Sequence, residues 1–264
     1  MPLALEHIRR MRGGAQAHLL RCSDGYYIVK FQNNPQHLRI LANELLGTRL
    51  ASRLGLPTPP AAVIEVRQEL IESTPDLIVQ LGTGRALCRA GKQFGSRYPG
   101  HPARVTVHDF LPDEQLRGVE NLADFVGMLV FDKWTCNTNG RQAIFLLEPG
   151  GSHYQAVMID QGFCFNAGEW SFPDAPLRGL YSRHRVYEHV CGMASFEPWL
   201  ERLESVISEN VLDEEAKQIP PEWYDDDLDA LFALLEQLNR RRPRVREAVL
   251  AARDSYRQPF PNWG

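Results

Sequence analysis

The chain has 264 residues, 44% of them hydrophobic, enough for one or two lobes with a real core. A formal net charge of −4 argues against a general nucleic-acid binder. The five cysteines (Cys22, Cys88, Cys136, Cys164, Cys191) form no CxxC pair, which argues against a disulfide framework or zinc site and fits free thiols in a reducing cytoplasm.

The opening MPLALEHIRRMRGG turns basic early and reads as no signal peptide. No apolar run reaches the about eighteen residues of a transmembrane helix, so a cytoplasmic chain is expected. Residues 12–16, Arg-Gly-Gly-Ala-Gln, form a glycine-bearing loop. Segments 17–22 and 26–31 flank Ser23-Asp24-Gly25 and read as a hairpin. Leu38, Leu41, Ala42, Leu45, Leu46 and Leu50 make one helical face, stopped by Gly55 and Pro57. Short strands are expected near 62–66, 77–81 and 105–110, with 82–102 an exposed loop between the last two.

Helical spacing returns over 121–134, and the polar run Asn137-Thr138-Asn139-Gly140-Arg141-Gln142 follows. Segments 143–147 and 154–159 read as paired strands joined by the turn 148–152, and Asp160-Gln161-Gly162 comes directly after. The last third is helical, with faces at Phe196, Leu200, Leu203, Val206 and Ile207, then at Leu228, Leu231, Leu235 and Leu238. A strand-rich front and a helix-rich back predict an α+β fold in two lobes, 1–112 and 113–264.

Three separated pieces carry chemistry together. Glycine amides of the 12–16 loop can approach phosphates closely, and Lys30 at the end of the hairpin can neutralise them. Glu44 on the following helix can hold that lysine by an ion pair. The 137–142 loop and Asp160 lie at the two ends of one hairpin, so their oxygens converge as a Mg²⁺ site beside phosphates requires. Taken singly, each is ordinary: a turn, an edge lysine, a surface glutamate, an Asp-x-Gly turn.

Several motifs resemble the HipA-like kinase family. Gly14-Ala15-Gln16-Ala17-His18 resembles its G-A-Q-x-K loop. Asn43-Glu44, Leu50-Ala51 and Leu54-Gly55-Leu56-Pro57 resemble its helix and exit. Residues 131–140 are similar to its F-x(5)-N-T-D segment and to the D-x(4)-N-T-D-R segment of type II phosphatidylinositol 4-kinases. Met158-Ile159-Asp160-Gln161-Gly162 is similar to the I-D-x-G metal motif of both. The resemblance runs from about residue 9 to 165. It implies a protein kinase-like fold, of the HipA and phosphatidylinositol 3/4-kinase type, that transfers phosphate from ATP with Mg²⁺ to Ser/Thr of a protein. It implies that Gly13, Gly14, Ala15, Gln16 and Lys30 hold ATP phosphates, with Glu44 orienting Lys30. Val107, His108, Asp109, Phe110 and Leu111 would be the adenine hinge, and Asp160 with Gln142 the metal ligands.

The family's catalytic aspartate falls on Asn139, a neutral amide that cannot accept a hydroxyl proton. Three readings stay open: a nucleotide-binding pseudokinase that regulates a partner, a kinase that recruits another base, and a substitution made to inactivate. A rival alignment takes Asp132 as base and Asn137 as metal ligand. Met11 stands where HipA kinases carry a regulatory serine, and His18 replaces the loop lysine. A histidine there is either a titrating group near neutral pH or a plain hairpin side chain. Arg240-Arg241-Arg242-Pro243-Arg244 is a basic cluster at a helix end, Asp225-Asp226-Asp227 a helix start. The 181–185 run, Tyr-Ser-Arg-His-Arg, lies where an activation segment would run, either gripping an acidic substrate or solvated.

Overall fold

The computed structural model describes residues 1–147 and 151–264. Of the expected 148–152 turn, Glu148, Pro149 and Gly150 lie outside the described residues. Strands β1 (Ala4–Arg10), β2 (His18–Cys22) and β3 (Gly25–Lys30) open the chain, and α1 (Ile40–Arg53) follows. Then come β4 (Ala61–Val66), α2 (Gln68–Ser73), β5 (Ile78–Leu81), β6 (Gly84–Leu87) and β7 (Gly91–Arg97). A five-stranded sheet runs in the order β1-β2-β3-β7-β4, and β5 pairs with β6 alone.

Alternation along β3 assigns its two faces. Tyr27 and Val29, with Phe31, enter a core that also holds Leu20, Ile64, Val66, Ile71 and Val79. Ile28 and Lys30 point the other way and line a cleft. Helix α1 is buried at all but a few positions, Leu41, Leu45 and Leu46 joining the large second core. It starts two residues later than its apolar spacing suggests, since Leu38 is exposed.

The expected exposed loop at 82–102 is instead β6 and β7, and β7 is an interior strand, paired antiparallel to β3 and β4. The strand expected near 105–110 shrinks to β8 (Val107–His108). It pairs with β9 (Gln142–Leu147), which pairs with β10 (Tyr154–Ile159). Strand β7 thus belongs to the five-stranded sheet and β8 to a three-stranded sheet in the order β10-β9-β8.

Helices α3 (Asp113–Leu116) and α4 (Asp124–Thr135) lead into the second lobe. It is completed by α5 (Glu197–Val206), α6 (Glu209–Ala216), α7 (Leu228–Arg241) and α8 (Val245–Arg253). Buried on every side, α4 ends at Cys136 in a left-handed conformation, φ +51°. Gly127 on α4 lies flat against the Trp199 indole, where an added Cβ would overlap the ring. Gly127→Ala is expected to cost about 1–3 kcal/mol, read as an earlier midpoint in urea unfolding at unchanged m.

The two expected C-terminal faces are present: Leu200, Leu203 and Ile207, then Leu231, Leu235 and Leu238, join the core, while Leu228 is exposed. Asp227 caps α7 by accepting from the Ala230 amide at 3.0 Å. The basic cluster is largely occupied. Arg240 pairs with Glu236, Arg241 with Asp174, and Arg242 donates to the Ile207 and Glu204 carbonyls. Among the described residues no helix is long and apolar enough to cross a membrane.

Candidate functional site

Lys30 is where three elements meet. Its ammonium pairs with Glu44 on α1 and lies 2.7 Å from Asp160 Oδ1, just past β10. Glu44 does more than hold the lysine. Its carboxylate also accepts from the amides of Gln161, at 3.0 Å, and Gly162, at 2.9 Å. A Cβ at 162 would come within 2.9 Å of Glu44 Oε1 and 2.8 Å of Ile40, so only glycine lets the backbone approach so closely. Asp160 itself sits at φ +65°, which turns its carboxylate back toward Lys30.

Burial disfavours the Lys30 ammonium, but Glu44 and Asp160 outweigh it and raise its pKa above the ordinary lysine range. Burial would likewise raise Asp160, yet Lys30 holds it below the usual carboxylate value. Burial pushes Glu44 up, with the Lys30 charge opposing. Asn43, one residue before Glu44, fastens the same loop: Nδ2 donates to the Gly162, Cys164 and Ala167 carbonyls at 3.0, 2.9 and 2.8 Å. Its Oδ1 accepts from Trp170 Nε1 at 2.7 Å.

A second buried network shapes the 137–142 loop. Asp132 receives Arg141 Nε at 2.8 Å and Arg141 Nη2, and Asn137 Nδ2 at 2.9 Å. Arg141 Nη1 reaches the Ile159 carbonyl and Gln161 Oε1, both at 2.7 Å. Asp132 is 1% exposed and does not line the cleft; its oxygens are committed to structure. Asn137 points into the same network, with Oδ1 accepting from the Asn139 amide at 3.1 Å. The rival alignment, Asp132 as base and Asn137 as metal ligand, has no geometry behind it.

The cleft between the sheet and the β9–β10 hairpin encloses about 1180 Å³. Gly13, Gly14 and Ala15 form part of its wall, with Lys30, Glu44, Asn139, Gln142 and Asp160 at its depth or edge. Val107, Asp109 and Phe110 also line it. Three expected contacts do not. Gln16 is tied back to Gln80, its Oε1 accepting from the Gln80 amide at 2.6 Å. The His108 ring packs edge-on against Tyr154, and Leu111 is buried in the core.

Sequence reasoning missed an apolar slot made by Ile28, Phe94, Ile144 and Met158, and the turn Tyr98-Pro99 beside it. The strand alternation of β7 carries that signal, hidden because β7 does not read as a strand. From the 181–185 run, Tyr181, Ser182 and Arg183 line the cleft, and Arg183 is held by Asp113 and the Leu111 carbonyl. His18 is buried behind the sheet, 3.1 Å from His7 and 3.2 Å from the Ile78 carbonyl. Burial first, then His7, lowers its pKa to about 4, so it stays neutral near pH 7 and the titrating reading is set aside.

Among the described residues no three His, Cys, Asp or Glu side chains cluster as a metal cage. The donors that face the cleft are oxygens: the Asp160 carboxylate and the Gln142 and Asn139 amides. One carboxylate plus neutral oxygens fits a hard cation such as Mg²⁺, which takes its remaining ligands from phosphate and water.

The fold and the sequence have relatives. No curated protein sequence matches the chain. The structure is similar to the Helicobacter pylori proinflammatory kinase CtkA, at 12% identity and TM-score 0.57, covering 94% of this chain and 96% of that one. It is similar to the Golgi casein kinase with Mn/ADP bound, at 12% identity and TM-score 0.54, covering 96% and 74%. It is also similar to HipA of the Shewanella oneidensis MR-1 toxin–antitoxin system, solved with HipB and operator DNA, at 13% identity and TM-score 0.52, covering 95% and 68%. These likenesses establish a two-lobed, α+β kinase-like fold. The family model described as HipA-like kinase matches residues 5–250, and with the site geometry it leads to one conclusion: this chain belongs to the HipA-like kinase family.

Proposed function

We propose that the chain is an ATP- and Mg²⁺-dependent phosphotransferase acting on a Ser/Thr hydroxyl of a protein. The observation that carries this reading is the convergence of Lys30, Glu44 and Asp160 at the floor of one cleft. Lys30 neutralises the nucleotide phosphates while Glu44 fixes its direction. Backbone amides of Gly13, Gly14 and Ala15 close over the phosphates. The apolar slot at Ile28, Phe94 and Met158 receives the adenine, with Val107, Asp109 and Phe110 near its edge. Asp160 and Gln142 hold the metal, which when bound supplies charge neutralisation at the transferred phosphoryl group.

In the transfer step the acceptor oxygen bonds to the γ-phosphorus as the bond to the β–γ bridging oxygen breaks, and ADP leaves. Asn139 orients the hydroxyl by accepting its hydrogen bond, and the proton passes to water. Without a positioned base the step runs about 10²–10⁴ slower than a carboxylate would allow.

A second reading, a nucleotide-binding module that regulates a partner, is favoured by one observation. Asn139 is neutral, and the nearby Asp132 is locked to Arg141. Calorimetry with ATP–Mg²⁺, paired with [γ-³²P]ATP transfer by the parent and Asn139→Asp, separates the two. Binding in both forms with transfer about 10²-fold or more faster in the aspartate form supports the phosphotransferase. Binding without transfer in either form leaves the regulatory module. Absence of ATP binding in both sinks both readings.

A further inference from the structure

The cleft is more basic than nucleotide binding accounts for. Seven cationic side chains line it against three carboxylates, in a chain whose net charge is −4. Some of that charge is already matched. Lys30 is paired with Glu44 and Asp160, Arg141 with Asp132, and Arg183 with Asp113. The excess resides on Arg9, Arg10, Arg12 and Arg97, at the end of β1, in the glycine loop and at the end of β7.

None of these four forms an ion pair among the described residues, although the chain's remaining surface is rich in paired arginines. Arg10 is steadied by Gln16 Oε1 at 2.7 Å, and Arg97 by the Asp24 carbonyl at 2.9 Å. Arg9 and Arg12 are exposed. Unmatched guanidiniums beside a concave wall focus a positive field and favour bidentate carboxylates. The cleft volume of about 1180 Å³ exceeds the roughly 300–1,000 Å³ of a small-molecule site, which leaves room beside a nucleotide. Phe110, 63% exposed at the cleft edge beneath Arg183, adds an apolar foothold.

Resting on the phosphotransferase reading, we infer that the acceptor is presented by an acidic polypeptide segment, whose carboxylates are gripped by the unpaired arginines of the cleft rim. A peptide strand with alternating acidic and apolar side chains fits a basic rim with one exposed phenylalanine. A nucleic acid would meet the chain's overall negative charge beyond the rim.

The test uses the full chain and fluorescein-labelled peptides with a central serine among glutamates, among lysines, or among alanine and glycine. Anisotropy is measured with and without ADP–Mg²⁺, at two salt concentrations. The glutamate peptide is expected to bind at least about tenfold tighter than the neutral one, and more weakly at high salt. The doubly substituted Arg9→Gln/Arg97→Gln protein is expected to lose about three- to tenfold of that affinity. Its ADP affinity, by calorimetry, stays within about twofold of the parent, since these side chains touch the acceptor and not the nucleotide. Equal binding of glutamate and neutral peptides overturns the inference. So does an equal loss of ADP and peptide affinity in the double variant, which makes the arginines phosphate ligands. Tighter binding of a labelled single-stranded oligonucleotide than of the glutamate peptide overturns it too. Failure of the parent to bind ADP strikes the phosphotransferase reading alone, because peptide selectivity is also read without nucleotide.

Discussion

A Lys30→Met variant is expected to unfold about 3–5 kcal/mol more easily than the parent at pH 8 and to recover much of that loss at pH 5. Methionine roughly fills the volume of the lysine stem, so packing changes little. What changes is charge. Glu44, 2% exposed, and Asp160 would face each other with no cation between them. Burial already pushes the Glu44 carboxyl up, and Lys30 is the group that opposes it. Without that charge its pKa rises further. A carboxyl whose folded pKa is raised stabilises the fold below its unfolded value and loses that contribution as pH rises through the folded value.

The parent behaves differently at both ends. Asp160, held below the ordinary carboxylate value, contributes stability above about pH 4 that is lost as pH falls. Lys30, held above the ordinary lysine value, contributes stability at pH below about 10 that is lost as pH rises through its folded value. Guanidinium unfolding of both proteins at pH 5 and pH 8 reads the difference. Adding Glu44→Gln to Lys30→Met should return a large part of the loss, as a double-mutant cycle. A Lys30→Met protein equally unstable at both pH values would refute the uncompensated-carboxylate account. In the same preparation nucleotide affinity, by calorimetry, is expected to fall at least about tenfold.

What the sequence discloses about this site depends on how local the signal is. Lys30 ends a short apolar strand set off by a Ser-Asp-Gly turn, Glu44 sits in a helix with regular leucines, and Asp160 follows a second short apolar strand. Local period alone puts all three on the right elements. Strand β7 shows the opposite. Its sequence, Gly-Lys-Gln-Phe-Gly-Ser-Arg, has two glycines and no β-branched residue. Gly95 is there because an added Cβ would overlap the Ile64 side chain on the neighbouring strand. Gln93 is fully buried because its amide bridges the Gln32 amide and the Arg89 carbonyl. Both residues answer to tertiary partners, so neither announces a strand. Missing β7 then hides part of the cleft wall, which Phe94, Ser96, Tyr98 and Pro99 form together with Val107. The loop-fastening role of Asn43 is equally non-local, since its three carbonyl partners lie about 120 residues away.

Asp132→Ala is expected to destabilise the fold by about 3–5 kcal/mol, and Asp132→Asn by clearly less. Arg141, 3% exposed, owes its raised pKa mainly to Asp132, against the pull of burial. Alanine removes both oxygens and strands a buried guanidinium. Asparagine keeps one acceptor for Arg141 but gives up the charge and the second oxygen. The loss spreads to the cleft, because Arg141 also bonds the Ile159 carbonyl and Gln161, the residues flanking Asp160. Loosening Arg141 therefore shifts Asp160 relative to Lys30, and metal-dependent nucleotide binding should weaken in step with stability across the two variants. A base behaves otherwise: Asp132→Asn would then stop transfer while leaving stability and nucleotide affinity nearly intact. Urea midpoints, ATP calorimetry and transfer rates on the two variants distinguish these patterns. Arg141→Met in the Asp132→Leu background provides the control. Replacing both partners by apolar groups of similar size should restore much of the stability without restoring the position of Asp160. Stability and nucleotide binding, coupled in the single variants, would then separate, as expected if the pair's use is to hold the loop in register.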